Sequence, residues 1–147
     1  VAIALQESAL AHRWQVIDAN RPDKKGPARG LWQFELGTKA SKGGVWGVFL
    51  HPASSYWLSQ GCAVRGVAFE PRAIWLALEI DDVLACCVAR LLLFTDAKRL
   101  PAITDTKAAW DLYRFRTWRP GKPHAGKWGG NHLAAVNAVQ QVRSAAA

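Results

Sequence analysis

The stretch "DDVLACCVARLLLF", residues 81–94, constrains this chain more than any other. Its body is almost wholly apolar, so it must lie inside the molecule. Asp81 stands where a helix N-cap belongs, offering a side-chain oxygen to the first free backbone N–H groups. The segment therefore predicts a buried central helix around which the remaining elements pack. Those elements also read as helical, because apolar residues recur at three- and four-residue intervals without sustained alternation. The expected fold class is all-α.

Helix boundaries follow from capping and turn residues. Residues 1 to 17 read as a mostly buried helix that ends before "DANRPDKKGPARG", whose turn formers and charges predict a loop. Pro52 with Ser54 or Ser55 starts another helix, which weakens at Gly61 or Gly66. In "FEPRAIWLALEI" the proline occupies the first helical turn, where its missing N–H costs nothing. "TDTKAAWDLYRF" opens with capping residues, "RTWRPGKPHAGKWGGN" breaks the pattern, and a last helix is expected from Asn131 into the alanine tail. With 147 residues, half of them apolar, the chain suits one domain spanning 1–147 rather than two.

Lys and Arg number 19 against 11 acids, a formal charge of +8, which favours a polyanionic partner such as nucleic acid, an anionic membrane surface or an acidic wall polymer. No run approaches the roughly 18 apolar residues of a membrane span. The start lacks a basic region followed by an apolar core and cleavage site. Because the chain begins at Val1 and contains no Met, export stays open. Cys62, Cys86 and Cys87 are odd in number and include two neighbours, so they do not read as a disulfide framework. His12, His51, His124 and His132 have no ligand spacing, and no metal or cofactor is expected.

Glu7 is the one carboxylate in the run "ALQESAL". An apolar setting raises a carboxyl pKa and keeps it protonated near neutral pH, as a general acid requires. Taken by itself, Glu7 reads first as a solvated helix position or a partner of Arg13, as most helix glutamates do. Its context points further. Glu7-Ser8 precedes "GPARGLWQFE", residues 26–35. That order and separation resemble the lysozyme-like superfamily, in the branch that holds soluble lytic transglycosylases, goose-type lysozymes and bacteriophage members. There a catalytic Glu followed by Ser, near the end of a buried helix, precedes a "GA.GL.Q" turn. Downstream, "CVARLLLF" resembles the branch's "YL..LL..F" helix, and "AAWDLYRFRTWRPGKP" falls where an "AYN.G" motif sets a Tyr against the Glu, making Tyr113 the positional match. Arg114 replaces the asparagine of that motif and the glycine comes later, at Gly121. A rival, "LAAVNAV", has Val136 in the Tyr position.

The resemblance implies cleavage of the β-1,4 bond between N-acetylmuramic acid and N-acetylglucosamine in peptidoglycan. Glu7 would protonate the leaving oxygen. In the transglycosylase route the substrate's acetamido group assists and one carboxylate suffices; a muramidase needs a second, for which Glu35, directly after the aromatic pair, stands ahead of Asp18, which reads as a solvated acid of the charged loop. Ser8, Gly30, Leu31, Trp32 and Gln33 form the expected substrate-binding turn, with Gly30 permitting it and Gln33 offering an amide to an N-acetyl group or to Glu7. Among the eight tryptophans, Trp110, Trp118 and Trp128 are expected partly in a cleft, beside a basic cluster of Arg116, Arg119, Lys122 and Lys127 that could grip peptide-stem carboxylates. The expected protein is monomeric, acting as an endolysin in the host cytoplasm, at the cell wall after secretion, or in a phage particle. Two rivals remain: a non-catalytic wall-binding module, and a nucleic-acid-binding virion protein, against which no helix-turn-helix, zinc-finger or RNA-binding signature is legible.

Overall fold

The apolar run forms helix α5, Asp82–Phe94, and is capped as its sequence requires, with Asp81 Oδ1 accepting the Leu84 N–H at 2.9 Å. The computed structural model describes residues 1–146. Leu84, Ala85, Val88, Ala89 and Leu91 of α5 are buried. Three helices surround this face: α2 (Gly44–Leu50), α3 (Pro52–Arg65) and α4 (Pro71–Ala77). They contribute Val45, Val48, Leu58, Cys62 and Ile74 to one core, which Leu78 and Phe34 complete. Burial of each such aliphatic side chain is worth about 1.5–3 kcal/mol against exposure. Pro71 opens α4 behind an N-cap from Glu70, and Gly66 closes α3 in the left-handed region at φ 67°.

A second, smaller cluster gathers Ile3, Tyr113 and Trp128. It joins α1 (Ala2–Ser8), α6 (Thr106–Asp111), a π-helical turn (Leu112–Arg116) and α7 (Ala125–Ala145). Trp32 and Trp118 pack against both clusters.

The molecule is mainly helical rather than wholly so. Trp14–Val16 (β1), Lys25–Arg29 (β2) and Phe34–Glu35 (β3) form an antiparallel sheet in the order β1-β2-β3, pairing Trp14 with Arg29 and Arg29 with Phe34. The expected helix over 1–17 thus ends at Ser8. Ala9 and Leu10 adopt left-handed backbone at φ 53° and 58°, and Ser8 Oγ takes the Leu10 N–H at 3.2 Å, which stops the helix. The charged loop survives as Asp18–Lys24, but "KGPAR" is strand β2. The other correction is α7, which starts at Ala125, not Asn131. Trp128 is buried there and donates its indole N–H to Thr106 O at 3.0 Å, while Gly126, Gly129 and Gly130 lie on the exposed side. No helix among the described residues is long and apolar enough to cross a membrane.

The sheet is fastened to α4. Trp75 Nε1 donates to Phe34 O at 3.1 Å, the Arg29 guanidinium lies 4.4 Å from the Trp75 ring centre, and Arg29 Nε stands 3.0 Å from Glu79 Oε2, a charge contact rather than an aligned hydrogen bond. Directly after β2, Gly30 holds φ at 73°, and a Cβ there would sit 2.6 Å from Leu78 O. Only glycine lets the turn settle on the end of α4. Gly30→Ala combines the positive φ with a backbone clash, and a loss of about 1–3 kcal/mol or more is expected in denaturant unfolding. An unchanged midpoint would contradict this account of the turn.

Candidate active site

Glu7 lies in the last turn of α1, one helical turn after buried Ile3, so both occupy the face that meets α7. The side chain of Gln6 fixes that docking: its amide N–H donates to His124 O and its carbonyl accepts from Asn131 Nδ2, both at 2.8 Å. Ser8 Oγ–H donates to Leu31 O at 2.7 Å, tying the end of α1 to the Gly30–Gln33 turn. Arg13 is not the partner of Glu7, since it pairs with Asp82.

The carboxylate of Glu7 accepts the Tyr113 hydroxyl at 2.9 Å, across 106 residues of sequence. Burial raises its pKa above the ordinary 4.5, and the Tyr113 hydrogen bond and the nearby Trp118 indole offset only part of that rise. Its place at the negative end of a short helix acts in the same direction as burial. Tyr113 itself is 2% exposed, and its hydroxyl is pushed far up by burial and by the neighbouring Glu7 charge, so it stays a donor. The ring stacks on Trp128 at 5.0 Å and leans on Trp110 at 5.5 Å, while Trp118 meets Phe34 edge-on at 5.1 Å. A carboxyl group so placed can give up a proton to a substrate atom, and the two donors then steady its anion.

The segment behind Tyr113 is anchored by a residue that sequence reading missed. Asp96, just past the end of α5, accepts from Arg116 Nη2 at 2.7 Å and from the Thr117 hydroxyl. Burial pulls its pKa up, yet these hydrogen bonds win and hold it at about 2. They fix the π-helical turn, in which Thr117 N–H reaches Leu112 O at 3.0 Å and Arg119 N–H reaches Tyr113 O at 2.8 Å. Such turns are rare and concentrate at functional sites. Of the five non-glycine residues with positive φ among the described residues, four (Ala9, Leu10, Gln33 and Arg119) belong to the segments that build this site. Backbone strain gathered in one place is a mark of function. Neither Asp96 nor the π-turn has a local signal; the positive φ at Arg119, a position where glycine is usual, has none either.

The structure therefore brings together Glu7, Ser8, Leu31, Tyr113 and Trp118, with Trp32 and Trp110 half-buried nearby. Gln33 turns its amide inward, donating to Gly30 O at 2.9 Å and His12 O at 3.3 Å rather than to Glu7. Glu35 is exposed on β3 and Asp18 opens the charged loop; among the described residues neither makes a hydrogen bond or charge contact with Glu7. Trp128, expected partly in a cleft, is 5% exposed because it is the stacking floor of Tyr113. Arg116 is occupied by Asp96 and is not free for a ligand, whereas Arg119, Lys122 and Lys127 are exposed. Comparison of the chain with protein-family models, curated proteins and solved structures returned no match.

A raised carboxyl pKa has a signature in stability. The folded state holds the Glu7 proton more tightly than the unfolded chain, so this group's favourable contribution is full below the ordinary value of 4.5 and is lost as pH rises through the folded pKa. Glu7→Gln, neutral at every pH, is expected to be more stable than the parent at pH 7, the gain shrinking towards zero as pH falls below that value. Thermal unfolding across pH checks this; a variant less stable at pH 7 would contradict the burial argument.

Proposed function

We propose that this chain is a lysozyme-like enzyme that cuts the glycan strands of peptidoglycan between N-acetylmuramic acid and N-acetylglucosamine, with Glu7 as general acid and then general base. The observation that carries the reading is the 2.9 Å hydrogen bond from Tyr113 to Glu7. It unites the two weakest-linked parts of the family resemblance, the Glu-Ser helix and the tyrosine segment, while Ser8 joins the same helix to the "GLWQ" turn.

In its one-carboxylate form the chemistry needs no acid beyond Glu7. Glu7 gives its proton to the glycosidic oxygen as the carbonyl oxygen of the substrate's own acetamido group bonds to the anomeric carbon and the carbon–oxygen bond to the leaving sugar breaks. The Glu7 carboxylate then takes the proton of the muramyl 6-hydroxyl, whose oxygen attacks the anomeric carbon and displaces the acetamido oxygen. The product is a 1,6-anhydro sugar. Tyr113 and the Trp118 indole stabilise the Glu7 anion between the two steps. Exposed Arg114, Arg119, Lys122 and Lys127 suit the acidic groups of peptide stems, and the +8 charge draws the protein to an anionic wall.

Digestion of purified sacculi followed by mass spectrometry tests the reading. The expected muropeptides are lighter by one water than those of a hydrolase. Glu7→Gln should lose activity by about 100- to 10,000-fold while keeping wall binding, and Tyr113→Phe by about 10- to 100-fold. Hydrolytic products would move the chemistry to a muramidase. Absence of any cleavage by the parent protein would sink the enzyme reading, and salt-dependent duplex binding in its place would favour a nucleic-acid role.

A further inference from the structure

A cavity of about 300 Å³ opens between the first turn of α1, the face of α5 turned away from α3, the loop before α6, and α7. It lies where the two hydrophobic clusters meet without filling the space between them. Its walls are almost all carbon, among them Ile3, Leu93, Leu100, Ile103, Val136 and Val139. The volume stands at the lower end of the roughly 300–1,000 Å³ found for small-molecule pockets. Water gains few hydrogen bonds in such a lining. Arg90 of α5 lies at its edge, exposed, and no acid pairs with it among the described residues. The loop that carries Leu100 also bears exposed Lys98 and Arg99. Nearby acids are engaged elsewhere, Asp96 by Arg116 and Asp105 as the N-cap of α6.

We propose that this cavity binds a free single-chain amphiphile with an anionic head, its alkyl chain between α5 and α7 and its carboxylate on Arg90. The apolar walls select a hydrocarbon chain. A planar guanidinium selects a carboxylate by offering two parallel N–H donors, and the flanking Lys98 and Arg99 reinforce the sign. Two walls are shared with the Glu7 site, since the Trp118 indole lies near Glu7 and Trp128 stacks on Tyr113. Occupancy therefore reports through tryptophan fluorescence.

Decanoate, decanol and butyrate, each kept below micelle formation, are titrated into the full chain. Three readouts are followed: melting temperature, tryptophan fluorescence and alkylation of Cys86, an exposed thiol on the cavity wall. Decanoate should raise the melting temperature by mass action, change fluorescence saturably and protect Cys86, with an affinity about tenfold above that of decanol. Butyrate should do none of these. Arg90→Glu, a surface change outside the Glu7 site, should remove the preference for decanoate and leave decanol binding intact. The proposal is overturned by no saturable response to decanoate, by equal affinity for decanoate and decanol in the parent, or by association with anionic phosphatidylglycerol vesicles without binding of monomeric decanoate. None of these readouts needs lytic activity, so this proposal and the glycan-cleavage reading stand or fall separately.

Discussion

A carboxylate taken out of water has to be compensated, and the Tyr113 hydroxyl on Glu7 is the contact that does so here. Much of the surrounding architecture serves to hold the two partners of that bond in place. On one side, Gln6 locks α1 onto α7, and Ser8 locks its end onto the turn after β2. On the other, the π-helical turn presents Tyr113 inward, and Asp96 grips the turn through Arg116 and Thr117. Removing water from Glu7 raises its pKa; supplying donors keeps the anion accessible. Both conditions suit the acid–base role proposed for it.

The two hydrophobic clusters divide the labour. The larger, around α5, supplies rigidity and supports the sheet through Trp75, Arg29 and Glu79. The smaller, around Tyr113 and Trp128, holds the acid. Trp32 and Trp118 bridge them, so the site sits at the seam rather than inside either core. Strained backbone at Ala9, Leu10, Gln33 and Arg119 collects along this seam. Its cost is offset by packing elsewhere in the fold.

Much of this was legible in the sequence where local chemistry decides. The Asp81 cap, the proline start of α4 and the apolar body of α5 each carry their own signal, and each appears in the structure. So does Gly30, whose φ demands glycine. What was not legible depends on contacts distant in sequence. Three-residue β1 has too few positions for alternation to show, and its pairing with β2 is set by the turn and by α4. The early start of α7 follows from the burial of Trp128 against Tyr113, which overrides three glycines that otherwise argue against a helix. Tyr113 was placed by family likeness and lands on Glu7, while the residue that steadies its segment, Asp96, stands apart from every motif.

The central physical claim is that Glu7 is a carboxyl group kept partly dry and held by Tyr113. With four glutamates in the chain, carbon-13 labelling of their side-chain carboxyls gives four titrations to assign. One of them, removed by Glu7→Gln, should run clearly above the ordinary value of 4.5, and Tyr113→Phe should move it higher still because a hydrogen bond to the anion is lost. A Glu7 signal titrating at or below 4.5, or one indifferent to Tyr113→Phe, would contradict the account.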